Sequence, residues 1–213
     1  MNAFDLCSPQ LCLITDPAVP ELGQAVEEAL AAGITMLQLR GHALSAAQLY
    51  RLALSFRPLC RRYNAAFIVN DRLDVGLAVR ADGFQLGVRS LPLAIARRLV
   101  GEGCLLGMSV HSSAEAQAAA VGGADFLVVG TIFPSRSHPD EPTVGVNLLR
   151  AIRREFPIMP LLAVGGITVA NAAQVMEAGA SGVAVISAIL DAADRTAAVS
   201  RLRATIGLEP FLR

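Results

Sequence analysis

The chain has 213 residues, 54% of them hydrophobic, so it can bury a substantial core, and we predict one domain over residues 1–213. Its 18 basic residues balance its 18 acidic residues, and no basic run is interleaved with aromatics, which argues against nucleic acid or a membrane surface as partner. The N-terminus lacks a signal-peptide pattern and no apolar run reaches the roughly 18 residues of a membrane span, so we expect a cytoplasmic protein.

Eight short apolar runs alternate along the chain with Ala- and Arg-rich segments of helical period. In chain order the runs are LCLITD, TMLQLR, AFIVND, GFQLG, LLGMSV, FLVVGTIF, LLAVGG and GVAVIS. Strands that are apolar throughout, rather than at every second residue, are typical of a parallel sheet covered on both faces. The runs therefore predict eight parallel strands with helices between them.

An internal repeat supports this interpretation. The stretches ALAAGITML, AVRADGFQL, AVGGADFLV and EAGASGVAV each join an Ala-rich helix end to a glycine and then to a strand. A glycine just past a helix adopts the left-handed conformation that ends the helix. Eight such strands without a composition break predict an α/β fold, a single (β/α)8 TIM barrel. The alternative is an open doubly wound sheet, but no GxGxxG follows the first strand.

The candidate site is read from the strand ends, because the site of a TIM barrel lies at the C-terminal ends of its strands. Polar residues and glycines collect there: Thr15, Asp16, Gln38, Arg40, His42, Asn70, Asp71, Ser109, His111, Thr131, Gly165, Gly166 and Ser187. Strand interiors carry almost none. We expect these side chains to face the barrel mouth, where a ligand or water satisfies them.

The stretches LLAVGGITVAN and GVAVISAI predict a phosphate site. The first ends a strand with Gly165 and Gly166 and opens a helix at Thr168, and the second does the same at Ser187. Glycines allow a close approach to the backbone, and loops after strands seven and eight are the usual phosphate site of this fold. A phosphate ester is therefore the expected ligand, and a simple tight turn is the alternative.

The longest irregular connection, PSRSHPDEPTVG at residues 134–145, contains three prolines. Long connections of this kind in compact domains are often lids. We predict that it covers the site, with Ser135 and Ser137 able to donate hydrogen bonds to an anion. A passive surface loop is the alternative.

Seven motifs in register over residues 11 to about 190 resemble the superfamily of thiamine phosphate synthase and the TenI-type thiazole tautomerase. They are QLR at 38–40, VNDR at 69–72, ADGFQLG at 81–87, GMSVHS at 107–112, GTIFPS at 130–135, AVGGI at 163–167 and VISAI at 185–189. The resemblance implies that a thiazole phosphate is the small-molecule partner. It places the phosphate on Gly165, Gly166, Ile186 and Ser187.

In the synthase, a pyrimidine pyrophosphate also binds, and Mg²⁺ sits on two aspartates, the first of which corresponds to Asp71. This chain departs from that pattern. The second aspartate is replaced by Ser90, preceded by Arg89, and His42 and His138 stand where the synthase has lysines. Mg²⁺ prefers carboxylate and phosphate oxygens, and histidine is mostly neutral at pH 7, so the departures argue against efficient release of pyrophosphate.

The resemblance therefore favours a thiazole tautomerase, an isomerase without a cofactor, with His111 as acid/base because imidazole titrates near neutral pH. Arg40 or Arg89 would bind the substrate carboxylate. The alternatives are a thiamine phosphate synthase, a transferase with Mg²⁺ at Asp71, and a non-catalytic regulator that binds a phosphate ligand. The other predicted substrate-binding residues are Gln38, His42, Asn70, Asp71, Ser109, Thr131, Ser135, Ser137 and His138. We also expect a homodimer.

The cysteines Cys7, Cys12, Cys60 and Cys104 fall at irregular spacings without a CxxC pair. This pattern predicts reduced packing residues rather than a zinc site.

Overall fold

The computed structural model describes residue 6 and residues 8–135 and 142–209. Within them, eight parallel strands form a closed barrel in the order β1 to β8, and β8 pairs with β1. The strands are β1 (Gln10–Ile14), β2 (Met36–Leu39), β3 (Ala66–Asn70), β4 (Gly83–Leu86), β5 (Leu105–Val110), β6 (Phe126–Val129), β7 (Leu161–Val164) and β8 (Gly182–Val185). The predicted TIM barrel is confirmed, whereas the assignment of residues 1–213 to one domain stays a prediction.

Helices lie between successive strands and after the last one. In the described part of the chain they are α1 (Leu22–Ala31), α2 (Ala46–Arg62), α3 (Leu73–Ala78), α4 (Leu93–Val100), α5 (Ser113–Val121), α6 (Gly145–Glu155), α7 (Ala172–Glu177), α8 (Ser187–Leu190) and α9 (Arg195–Thr205). None of these helices combines the length and the apolar character needed to cross a bilayer.

Each predicted run overlaps one strand, and two of the boundary differences affect candidate site residues. The run FLVVGTIF ends as a strand at Val129, so Thr131 lies in the following loop. The helix expected to open at Thr168 begins at Ala172 instead. The Thr168 carbonyl accepts the N–H groups of Asn171 and Ala172, and the Asn171 side chain accepts the Thr168 N–H at 2.8 Å. These bonds form a separate turn ahead of the helix.

The core has two layers, because successive side chains of a strand point to opposite sides of the barrel wall. One buried set packs between strands and helices and includes Leu11, Leu37, Phe67 and Phe84. The other set fills the barrel interior: Cys12, Ile14, Met36, Ala66, Ile68, Phe126, Val128, Leu162 and Ala184. The apolar character of both faces explains why the strand sequences show no alternation.

The cysteines that the structure describes, Cys12, Cys60 and Cys104, are in no disulfide. Burial raises the pKa of the Cys12 and Cys60 thiols to about 12, so both stay protonated. This agrees with the predicted packing role for these two residues. Cys7 lies outside the described residues.

At the N-terminal end of the barrel, the residue directly before each even-numbered strand accepts a backbone N–H from the preceding strand. We call these four residues, Thr35, Asp82, Asp125 and Ser181, the strand clamps. The N–H donors are Leu11 at 3.0 Å, Phe67 at 2.8 Å, Leu106 at 2.7 Å and Leu161 at 3.2 Å, in that order. Each clamp lies in one of the four helix–glycine–strand repeats of the sequence.

Arginines on the outer helices hold three of the strand clamps in place. Arg57 of α2 donates to both carboxylate oxygens of Asp82, at 2.6 and 2.9 Å. Arg97 of α4 reaches Asp125 at 2.6 Å, and Arg153 of α6 reaches the Ser181 hydroxyl at 3.0 Å. The arginines therefore tie the helix layer to the strand ends.

Arginines at this end of the barrel also bind backbone carbonyls, as Arg97 does with the Cys104 carbonyl at 2.7 Å. Arg153 donates to the carbonyls of Gly179 and Met159, and Arg203 of α9 donates to the carbonyl of Gly33 at 2.5 Å. Burial lowers the pKa of the Arg153 and Arg203 guanidinium groups, but arginine starts so high that they remain charged.

The clamp at Asp82 predicts a measurable loss of stability. The Arg57 and Asp82 side chains are only 10% and 14% exposed. Asp82→Ala leaves the guanidinium and the Phe67 N–H without their shared acceptor, and we expect the free energy of unfolding to fall by about 3 kcal/mol in urea denaturation. Glu27→Ala, which removes the exposed ion pair with Arg62, is the control and should cost less than about 0.5 kcal/mol. Equal losses for the two variants would contradict the assignment.

Candidate active site

A cavity of about 640 Å³ opens at the C-terminal ends of the strands. It brings together all of the predicted substrate-binding and phosphate-binding residues that the structure describes: Gln38, Arg40, His42, Asn70, Asp71, Arg89, Ser109, His111, Thr131, Ser135, Gly165, Gly166, Ile186 and Ser187. Ser137 and His138 lie outside the described residues. The roles of all these residues in ligand binding stay predictions, whereas their convergence on one cavity is observed.

Thr15 and Asp16, expected at the mouth, do not line this cavity. The Thr15 hydroxyl accepts the Arg40 N–H at 2.9 Å and donates to the Arg40 carbonyl at 3.0 Å. The Asp16 side chain accepts the Ala18 N–H at 3.0 Å and closes a turn. Both side chains therefore shape the loops around the mouth instead of facing a ligand.

The polar row at the end of β2 faces the cavity as predicted from its spacing. Gln38 and Arg40 follow Met36, an interior residue, at every second position. Arg40 Nε donates to His42 Nε2 at 3.1 Å. That nitrogen must be unprotonated to accept, so His42 is neutral in this pair and Arg40 carries the fixed charge.

Asp71 presents the only carboxylate among the described residues that line the cavity. Its φ of 58° lies in the left-handed region, where Asp and Asn are enriched. Asn70 Nδ2 donates to one carboxylate oxygen at 2.8 Å, and the Ser90 hydroxyl donates to the other. Ser90 in turn accepts the Gly87 N–H at 2.7 Å. Ser90 stands at the expected second metal position. Its hydroxyl is therefore hydrogen-bonded to Asp71, the residue at the first position.

The fit of Mg²⁺ to this site depends on what the ligand supplies. In the described part of the chain no group of three or more His, Cys, Asp or Glu side chains is placed to hold a metal ion. Mg²⁺ is commonly bound by one or two carboxylates together with substrate phosphates and water. The oxygens of Asp71 and Ser90 therefore suit an ion that arrives with a diphosphate, rather than one held by protein alone.

His111 follows β5, and its side chain is 44% exposed at the cavity. Its Nδ1 lies 3.2 Å from Glu115 Oε2, which also accepts the His111 N–H at 2.8 Å. The cap of α5 is Ser112, so His111 does not serve as that cap. Glu115 was not predicted as a site residue. It lies four residues after His111 at the start of a helix, and this spacing is the sequence signal that could have predicted the contact.

The glycine pair after β7 forms a turn that packs against the loop after β6. Gly165 and Gly166 have φ values of 98° and 62°. A Cβ on Gly166 would lie 2.4 Å from the Pro134 carbonyl oxygen, and one on Gly165 would lie 2.5 Å from Thr131 Cγ2. The Phe133 N–H also donates to the Gly165 carbonyl at 3.0 Å. Close packing alone therefore requires these glycines, whatever ligand the turn binds.

Two further cavity residues bear on ligand binding. Gln85 on β4 is 2% exposed and was not predicted, although it is the polar residue within the apolar run GFQL. Arg89, which was predicted, is exposed in the loop after β4. It makes no hydrogen bond or ion pair with any residue that the structure describes, so its guanidinium is available to an anion.

Comparison with known proteins identifies the family. A family model described as "Thiamine monophosphate synthase" matches residues 11–189. A thiamine-phosphate synthase of Chloroflexus aurantiacus is 47% identical over 184 residues, which cover 86% of this chain and 84% of that protein. The corresponding protein of Methanospirillum hungatei is 46% identical over 176 residues, covering 82% and 85%. The solved thiamine phosphate pyrophosphorylase from Pyrococcus furiosus superposes with a TM-score of 0.88 at 37% identity, covering 95% of this chain and 97% of that one.

These findings overturn the expectation of a thiazole tautomerase, because the similar proteins are named as synthases or pyrophosphorylases. The replacements at His42 and Ser90 remove charge, but Arg89 adds a fixed positive charge to the same cavity and Ser90 bonds to Asp71. The polar surface is rearranged and not simply weakened. The family match over residues 11–189, with the high identity across most of the chain, shows that the chain belongs to the thiamine monophosphate synthase family, enzymes of thiamine biosynthesis.

Proposed function

We propose that the protein is a thiamine-phosphate synthase, a transferase that joins hydroxymethylpyrimidine pyrophosphate to thiazole phosphate and releases pyrophosphate. One observation carries the proposal beside the family match: a single cavity has a glycine turn on one wall and two arginines, Arg40 and Arg89, with Asp71 on the other. Two substrates that each carry phosphate need two such regions.

The thiazole phosphate is assigned to the wall formed by the ends of β7 and β8. Gly165 and Gly166 line the cavity and carry no side chain of their own, and Ser187 lies at the start of α8. Backbone N–H groups at such turns and helix starts favour a negative charge. Holding the phosphate here would place the thiazole ring toward the centre of the barrel mouth.

The pyrimidine pyrophosphate is assigned to the opposite wall. Arginine donates several N–H groups in a planar fork that matches phosphate oxygens, so Arg40 and Arg89 are suited to the diphosphate. Ser109 and Ser135 line the same cavity and carry hydroxyl donors. Asp71 and Ser90 would hold Mg²⁺, which when bound supplies positive charge to the diphosphate oxygens.

The transfer breaks the bond between the pyrimidine methylene carbon and the diphosphate oxygen, and the thiazole nitrogen forms a new bond to that carbon. The leaving oxygen takes the electron pair, so negative charge develops on the pyrophosphate. Positive groups fixed where that charge develops stabilise the transition state. Arg40 and Arg89 would do this, and the bond-forming step requires no proton from His111.

A cytoplasmic location, a homodimer and a lid at residues 134–145 stay predictions.

Arg89→Gln tests the diphosphate wall. Loss of the guanidinium should raise the KM for the pyrimidine pyrophosphate about tenfold and leave the KM for thiazole phosphate unchanged, since a hydrogen bond to a charged group is worth about 1.5 kcal/mol or more. Steady-state kinetics with each substrate varied in turn measures this. Arg98→Gln, an exposed arginine on α4 outside the cavity, is the matched control. Equal changes in both KM values would contradict the assignment.

Ser90→Asp tests the metal position. A second carboxylate beside Asp71 should lower the Mg²⁺ concentration for half-maximal turnover about tenfold, because hard cations gain affinity from each added carboxylate. A titration of the rate with Mg²⁺ measures the effect, and EDTA should abolish turnover in both proteins. Full activity of the unmodified protein in EDTA would show that the metal assignment is wrong.

Gly166→Ala tests the glycine turn. The residue has a positive φ, and the added methyl would press on the Pro134 carbonyl, so strain of about 2 kcal/mol is expected at this turn. The KM for thiazole phosphate should rise at least tenfold by the proposed assignment. Gly103→Ala, with no atom within 4 Å of the added methyl, should leave it unchanged. An unaltered KM in Gly166→Ala would exclude the turn as the phosphate site.

A further inference from the structure

Gln85 is a buried amide in the floor of the cavity. It points into the barrel from β4, between Asn70 of β3 and Gly107 of β5, with which it is in register. Gly107 makes room for it, since a Cβ there would lie 2.3 Å from Gln85 Oε1. The amide therefore lies over the bare backbone of Gly107 and beside Ser109, to which it is hydrogen-bonded.

The orientation of this amide is fixed by its neighbours. Gln85 Nε2 donates to the Leu86 carbonyl oxygen and to the Ser109 hydroxyl oxygen, both at 3.0 Å. A carbonyl oxygen can only accept, so the atom that faces Leu86 must be the NH₂ group. The same group faces Ser109, and Ser109 Oγ consequently acts as an acceptor in this bond.

The Ser109 hydroxyl must then direct its own hydrogen elsewhere. A hydroxyl has one hydrogen to donate, and the Gln85 NH₂ occupies one of the acceptor positions on the oxygen. In the part of the chain that the structure describes, the Ser109 hydroxyl makes no other hydrogen bond, and Ser109 lines the cavity. The hydrogen is therefore available to an acceptor in the cavity.

The oxygen of the same amide shows that a glutamine at this position carries an energetic cost. Gln85 Oε1 is fully buried and has no partner among the described residues. An unpaired buried acceptor costs free energy of folding, and such a group in a native protein calls for an explanation. Stability does not explain this glutamine, because an apolar side chain of similar size would fill the same space without the cost.

We propose that Gln85 is a positioning residue that makes the Ser109 hydroxyl a hydrogen-bond donor to the diphosphate of the pyrimidine substrate and to released pyrophosphate. The inference rests on the proposed synthase function. Gln85 acts through Ser109 and need not touch the diphosphate itself. With the amide in place, the serine hydroxyl donates its hydrogen to the anion. A freely rotating hydroxyl would instead point its lone pairs at the anion part of the time.

A double-mutant cycle with inorganic pyrophosphate as the probe tests this coupling. Isothermal titration calorimetry in the presence of Mg²⁺ gives the Kd for the unmodified protein, Gln85→Met, Ser109→Ala and the double variant. Ser109→Ala should weaken binding about tenfold and Gln85→Met about fivefold, the sizes expected for a hydrogen bond to a charged group and for its partial loss. In the Ser109→Ala background, Gln85→Met should have no further effect, because its partner is gone.

A second cycle with Gln85→Leu covers the case in which the methionine variant does not fold. Leucine has no N–H to donate to Ser109, so it removes the same hydrogen bond with a side chain of different shape. A coupling of about fivefold should again be measured.

The outcomes separate the two proposals. If a Gln85 substitution weakens binding equally with and without the Ser109→Ala change, the role of Gln85 is overturned and the synthase proposal stays intact. Failure of the unmodified protein to bind pyrophosphate or to form thiamine phosphate would overturn the synthase proposal together with this inference. Coupling in either cycle, with pyrophosphate bound by the unmodified protein, supports both.

Discussion

The barrel depends on the hydrogen bonds that join neighbouring strands at its N-terminal end, where the strand clamps accept an N–H group from the first or second residue of each odd-numbered strand. Buried N–H groups need acceptors, and a strand start that leaves one unpaired loses more than a hydrogen bond is worth. By supplying the acceptor from the next helix–strand turn, each repeat fixes the register of two strands at once. Arg57, Arg97 and Arg153 extend this fixation to the helix layer.

Because this end of the barrel fixes the register, the opposite end is left to carry polar groups that do not stabilise the fold. Gln38, Asn70, Gln85 and Ser109 all continue the inward-facing positions of their strands beyond the apolar interior. Side-chain direction in a strand alternates with a period of two, so a fixed register determines which residues face the cavity. The orientation of the Ser109 hydroxyl by Gln85 thus depends on hydrogen bonds at the far end of the same strands.

The sequence predicted the barrel because uninterrupted apolar runs and helix–glycine–strand repeats are local signals of that fold. It also predicted most cavity residues, because strand ends are visible in a sequence. Gln85 was not predicted as a site residue because its hydrogen-bond partner, Ser109, lies on the next strand. The neighbouring sequence does not indicate that partner. Glu115 was not predicted as a site residue because its contact with His111 depends on how the chain turns from β5 into α5. The departures at His42 and Ser90 favoured the wrong reaction because a lost charge is visible in a sequence. The hydrogen bond between Ser90 and Asp71, and the position of Arg89 in the cavity, are visible only in the structure.

The contact between the glycine turn and the loop after β6 joins two walls of the cavity. Gly166 lies against the Pro134 carbonyl, the Phe133 N–H donates to the Gly165 carbonyl, and Ser135 follows directly. Because these contacts are tight, a displacement of the turn would have to displace the segment as well. Linkage between two sites is reciprocal in free energy. Under the proposed function, the two walls of the cavity would be coupled through this contact, and whichever substrate bound first would change the affinity for the other.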